Sequence, residues 1–179
     1  MLKIVNVPNS ILTIPVKPVV NFDQVLLKLV KEMKKTLEAQ IDPPGVGLAA
    51  PQIGKSLALF IIKPKLKALV EVFINPRILQ SEEFKVMQRK SSHTKKKQPL
   101  EGCLSIPHIW GPVKRANKIL LEYQNINGKT ITEWFSGFKA VIIQHEVDHL
   151  SGILFTHRSL EQKAPLYEEE NGELIKIKY

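Results

Sequence analysis

Two Asn-Gly dipeptides set the strongest constraint on how this chain can fold. Asn127-Gly128 lies between an apolar run at 118–123 and another at 129–135. Asn171-Gly172 lies between Leu166-Tyr167 and Leu174-Ile175-Lys176-Ile177. Asn and Gly tolerate the positive φ that tight hairpin turns require. Both places therefore read as antiparallel hairpins. Two more apolar runs, at 57–62 and 70–74, read as short strands, with Pro64 and Pro76 as punctuation.

Helical spacing appears twice. Leu26, Leu29, Val30, Met33 and Leu37 share one face of a helix expected over 23–39, with Asn21 or Asp23 as its cap. Pro43-Pro44-Gly45 forbids its continuation. A second helix is expected from Ser136 or Gly137 to Leu150, stopped by Gly152. Helix, several strands, helix, then strands favours an α+β fold. No repeat or long linker divides residues 1–179, so one domain is expected.

Composition excludes several classes. With 44% hydrophobic and 24% charged residues the chain is globular rather than disordered. No run of about 18 apolar residues exists, so a membrane span is not expected. The start does not read as a secretory signal, and a lone cysteine, Cys103, cannot form an intrachain disulfide. Both fit a reducing compartment, most simply the cytoplasm. The net charge of +9 favours anionic neighbours such as a ribosome surface. Six basic residues and no acidic one lie at 85–97, and no aromatic side chain punctuates them. Without aromatics to stack on bases, specific nucleic-acid recognition is not expected.

The sharpest local signal is His145-Glu146-Val147-Asp148-His149. Residues four apart share one side of a helix, with Cβ atoms roughly 5–6 Å apart. Two such imidazoles can hold one metal ion, and a carboxylate beside the first can act as a general base. Phe138, Val141 and Ile142 are expected to continue that side toward the interior. The motif alone leaves two structural histidines as an open alternative. Cys103, in Glu101-Gly102-Cys103-Leu104-Ser105, is a candidate third ligand. One thiolate and two imidazoles suit a tetrahedral ion with a fourth position open. His93, His108 and His157 lack helical pairing and read as surface or packing residues. Gly45-Val46-Gly47-Leu48-Ala49-Ala50-Pro51-Gln52 allows close backbone approach, but lacks the ending of a phosphate loop. Its Gln52 amide is a candidate oxyanion donor.

Together these three segments resemble the peptide deformylase family. That family shows Gly-φ-Gly-φ-Ala-Ala-x-Gln (φ is apolar), then Glu-Gly-Cys-φ-Ser, then Gln-His-Glu-φ-Asp-His-Leu-x-Gly. Gly45 to Gln52, Glu101 to Ser105 and Gln144 to Gly152 match in that order. The resemblance implies antiparallel sheets around a central helix carrying the His-Glu-x-x-His motif. It implies Cys103, His145 and His149 as ligands of Fe2+, replaceable by Zn2+, Ni2+ or Co2+. It implies Glu146 as general acid/base, with the Gln52 amide and the Leu104 backbone N–H as donors to the tetrahedral intermediate. The implied reaction removes formate from N-formyl-methionyl nascent peptides. Val46, Leu104, Val141 and Ile142 are implied to line the methionine pocket. Gly45 to Leu48 offers a strand-like edge to the peptide, with Gly45, Val46 and Gly47 as its candidate substrate-binding residues, and Glu101 pairs with Arg115.

Two features depart from the family. Trp110 stands where many members carry an arginine near the pocket mouth. The chain also ends in an acidic, hairpin-like segment rather than the basic helix with which one subgroup docks on the ribosome. The segment at 85–97 is the candidate replacement for that helix. Two rival readings stay open. A zinc endopeptidase would take a third ligand downstream, Glu161 or the Glu168 cluster, and would leave Cys103 unexplained. A basic binding protein would hold no stoichiometric ion.

Overall fold

The structure is a computed structural model and describes residues 1–41, 44–65, 68–82 and 99–178. The basic segment at 85–97, with His93, lies outside the described residues, as does Pro43.

Helix α1 spans Gln24–Glu38. Of the two candidate caps, Asp23 takes the role, accepting the N–H groups of Val25 and Leu26 at 2.9 and 3.0 Å. Strands β1 (Gly47–Ala49), β2 (Leu59–Ile62), β3 (Glu71–Glu82), β6 (Lys118–Gln124) and β7 (Thr130–Ser136) form an antiparallel sheet in the order β1-β2-β3-β6-β7. Strands β4 (Leu100–Cys103), β5 (Ile106–Pro112), β8 (Tyr167–Glu170) and β9 (Glu173–Lys176) form a second one, in the order β4-β5-β8-β9. Helices α2 (Gly137–Leu150) and α3 (Phe155–Glu161) and two short 3-10 helices, Ser10–Thr13 and Ala50–Ile53, complete the described elements. The α+β expectation holds.

Burial explains why β2 reads as a continuous apolar run. Leu59 and Ile61 pack with Val30, Met33 and Leu37 of α1. Phe60 and Ile62 pack on the other side with Ala140, Ile142 and Ile143 of α2. A strand covered on both faces needs no polar alternation. Helix α2 also reaches a third cluster, which includes Leu12, Ile106, Val113, Leu154, Phe155 and Leu166, through the His145 ring, 6.1 Å from that of Phe155. Its motif residues therefore sit deep, with Glu146 and His149 at 3% and 0% exposure.

Some expectations need correction. Strand β3 runs through Pro76 instead of stopping there, because the register shifts between Ile74 and Arg77. A bulge is where a sheet tolerates a residue without an N–H. The Asn75 side chain stitches it, accepting from Val19 N–H and donating to Val19 O and Gln124 Oε1. The apolar 153–155 stretch leads into a short helix, α3. Phe138 is 60% exposed, because it sits in the first turn of α2, ahead of the residues that enter the core. The hairpins hold. Asn171 and Gly172 have φ of 52° and 82°, and Glu170 pairs with Glu173 across them. Between β6 and β7 the connection is wider, with Asn125 Oδ1 accepting the N–H groups of Asn127 and Lys129.

Candidate metal centre

Helix α2 begins at Gly137, whose φ of +62° turns the chain out of β7. Two turns later it presents His145 and His149, ring centroids 5.0 Å apart. Cys103 arrives from the other side, at the end of β4, where the β4–β5 pairing shifts between Gly102 and Cys103. Its Sγ lies 3.2 Å from His149 Nε2. One ligand atom from each of Cys103, His145 and His149 lies within 4.8 Å of the others. Those separations suit a thiolate and two imidazoles around one four-coordinate ion. The sole cysteine and the helical histidine pair are thus brought together.

The surroundings orient these groups. His145 Nδ1 lies 2.9 Å from Glu101 Oε2, which leaves Nε2 for a metal. Arg115 donates to both Glu101 oxygens at 2.8 and 3.0 Å and also to Asp148. Arg158 donates to both oxygens of Asp148, at 3.1 and 2.7 Å. The expected Glu101–Arg115 pair is therefore one part of a larger ion network. Asp148 was visible as a fixed position of the third motif, without a role read for it, whereas Arg158 had no sequence signal beyond its charge.

Burial and charge act against each other here. Burial pushes the Cys103 thiol up, but the imidazoles of His149 and His145 more than offset it and hold the thiol at about 5. Burial lowers His145, while Cys103 and Glu101 raise it well above the usual histidine range. Burial raises Glu101, but hydrogen bonds from His145 and Arg115 and the guanidinium charge bring it to about 2. Glu146 differs, because burial dominates and raises it to about 7. Its Oε2, like His149 Nδ1, is a buried polar atom without a protein hydrogen-bond partner. The donor set fits a divalent cation, whose charge replaces that of the imidazolium beside the thiolate.

The remaining candidates surround this cluster. Gln52 is buried, with Nε2 3.4 Å from Cys103 Sγ and Oε1 accepting Ala49 N–H at 2.8 Å. Gly47 lies against the Glu146 carboxylate, because a Cβ there would collide with it. Gly45 backs onto Leu37 of α1 and Gln40 just beyond its end. Strand β1 is the edge of its sheet, pairing with β2. Val46 and Leu104 are half-buried and pack against the first and second core clusters. Val141 is half-buried, while Ile142, at 4% exposure, belongs to the core.

The rival ligands lie elsewhere. Glu161 is exposed and pairs with Arg158. Glu169 accepts Trp110 Nε1 at 2.7 Å, and the Trp110 ring covers Gly102, where a Cβ would meet it at 2.8 Å. His108 and His157 are exposed. Among the described residues, Cys103, His145 and His149 are the cluster with metal-ligand spacing.

Comparison with known proteins agrees with this geometry. The polypeptide deformylase family model matches residues 1–164. A peptide deformylase of Desulfotalea psychrophila is 37% identical over 174 residues, 95% of this chain and 94% of the relative. Peptide deformylase 1 of Bacillus cereus is 39% identical over 171 residues, 96% of this chain and 97% of the relative. The crystal structure of the Thermotoga maritima peptide deformylase superposes with a TM-score of 0.74 at 34% identity, covering 88% of this chain and 97% of that one. The actinonin-bound class I type b peptide deformylase of Acinetobacter baumannii gives 0.72 at 32%, covering 88% and 97%. A match over most of the chain, in sequence and in fold alike, places this protein in the polypeptide deformylase family, enzymes that remove the N-formyl group from polypeptides.

Proposed function

We propose that Cys103, His145 and His149 hold one divalent ion, Fe2+ in the cell and replaceable by Zn2+, Ni2+ or Co2+, beside which formyl-methionyl peptides are hydrolysed. The observation that carries this reading is the convergence of the sulfur and both imidazoles within 4.8 Å. When bound, such an ion supplies Lewis acidity and lowers the pKa of a coordinated water to about 7.

This chain's own residues supply the rest. Glu146, raised to about 7, takes a proton from the attacking water and returns it to the leaving amine. The formyl C–N bond breaks, formate leaves, and the peptide keeps a free amino terminus. Gln52 Nε2 and the Leu104 N–H donate to the negative charge that develops on the formyl oxygen. Val46, Leu104 and Val141 form the methionine pocket, with Ile142 as its backing in the core. Gly45, Val46 and Gly47 hold the peptide backbone along the β1 edge.

The whole chain, 1–179, is read as one catalytic domain working in the cytoplasm on nascent peptides. Its basic segment at 85–97 is proposed to face the ribosome surface, with no specific nucleic-acid sequence read. Among the described residues no helix is long and apolar enough to cross a membrane.

Formate release from a formyl-Met peptide tests the reading, using anaerobically prepared protein with and without chelator. Chelator-sensitive release is expected, with metal lost in Cys103→Ala. Metal-loaded protein that releases no formate, or a Cys103→Ala variant that retains its ion, would overturn it.

A further inference from the structure

We infer that Ser105 is a positioning residue for Gln52, tying down one N–H of its amide so that the other stays aimed at the metal-ligand cluster. The inference rests on the proposed role of Gln52 and goes beyond it. Both side chains are enclosed, Gln52 at 2% and Ser105 at 0% exposure. Gln52 Oε1 accepts Ala49 N–H at 2.8 Å, which fixes the oxygen end of the amide. At the other end Nε2 lies 3.3 Å from Ser105 Oγ and 3.4 Å from Cys103 Sγ. A primary amide has two N–H donors. The hydroxyl takes one, and the other points at the sulfur edge of the site.

This division matters because the terminal torsion of glutamine is broad and roughly two-fold. Without a second anchor the amide plane is held by one bond and a weak sulfur contact. A donor aimed at a developing charge is effective when it needs no reorganisation during the reaction. The backbone supports the same assignment. Val5 N–H donates to Gln52 O at 2.8 Å, and Val7 N–H donates to Ser105 O at 3.1 Å. One N-terminal segment thus holds both residues, although they lie 53 positions apart in sequence.

Steady-state kinetics of the metal-loaded protein, combined as a double-mutant cycle, test the inference. Loss of a whole oxyanion donor costs about 10²–10³ in rate, so the misaimed donor of Ser105→Ala is expected to cost about tenfold in kcat, with KM changed by less than about twofold. Metal content and thermal midpoint should stay at the parent values. In a Gln52→Ala background the same substitution should have no further effect. Ser105→Thr should keep more turnover than Ser105→Val, which has the same shape without the hydroxyl. That pair reads the hydroxyl even where the alanine variant does not fold. Undiminished kcat in Ser105→Ala, equal turnover of the Thr and Val variants, or an equal loss in both Gln52 backgrounds overturns the inference and leaves the role of Gln52 standing. Full turnover by Gln52→Ala overturns both.

Discussion

Glu101 Oε2 lies 2.9 Å from His145 Nδ1, and the same oxygen accepts from Arg115 at 3.0 Å. The carboxylate therefore links an imidazole proposed as a metal ligand to a guanidinium that is 7% exposed. Partners of this kind fix the ring orientation of a ligand histidine and raise its basicity, typically at about 10–100-fold in metal affinity. Glu101→Ala should lose its ion to a competing chelator faster than the parent protein. Arg115→Ala should also be destabilised, by about 3–5 kcal/mol, because it strips a buried carboxylate of its counter-charge. Urea unfolding and metal-release rates check both, and parent-like values in either variant would contradict the relay.

The same carboxylate predicts an acid transition. In the metal-free protein Glu101 titrates at about 2, against 4.5 for the ordinary carboxylate. A depressed carboxylate contributes its stability above the unfolded-state pKa and loses it as pH falls toward the folded-state value. The contribution is on the order of 3 kcal/mol, lost between about pH 5 and pH 2. Metal-free parent protein should thus be more stable than Glu101→Gln near neutral pH, with the gap closing over that window. A gap that stays constant with pH would contradict the assignment.

Much of the candidate site was legible in sequence because its candidate ligands come from short, local patterns. The helical pair His145 and His149 announces itself, and the lone Cys103 stands in a short glycine-bearing segment. What joins them is long-range, and apart from the expected Glu101–Arg115 pair the motifs do not say which residue meets which. Asp148 meets Arg115 from a separate element, and Gly47 meets Glu146 across the gap between β1 and α2. The fold was legible where periodicity ran long, as in α1, or where Asn-Gly marked a turn. It was not legible in β5, where Pro107, Gly111 and Pro112 interrupt any regular apolar alternation. Nor was it in α3, whose seven residues have no side-chain cap.

Glu146 should trade stability for turnover. Burial raises its carboxyl to about 7, and Oε2 has no protein partner. A carboxylate whose pKa is raised on folding destabilises the native state as pH climbs from the unfolded-state value through the folded one. Metal-free Glu146→Gln should therefore be more stable than the parent above about pH 7, by on the order of 3 kcal/mol, and no different near pH 4. The same variant, loaded with metal, should release no measurable formate. Near-parent turnover, or no gain in stability at high pH, would count against the role given to this carboxylate.

Gly47 is the residue on which the placement of Glu146 depends. A Cβ at this position would occupy the space of the Glu146 carboxylate, so the carboxylate must shift if alanine stands there. The backbone φ is not in the left-handed region, so the substitution strains no torsion and acts through that one collision. The three nearest atoms that a Cβ there would meet all belong to Glu146, and none to a proposed metal ligand. Gly47→Ala should therefore fold and bind its ion like the parent. Its kcat should fall by at least about 10²-fold, since a misplaced general base forfeits the 10²–10⁴-fold that positioned proton transfer contributes. A further test follows from the geometry. Shortening the acid in the Gly47→Ala, Glu146→Asp double variant frees the space the new methyl needs. That variant should lose less than the product of the two single effects. Strict multiplicativity would mean that Gly47 is required for some other reason.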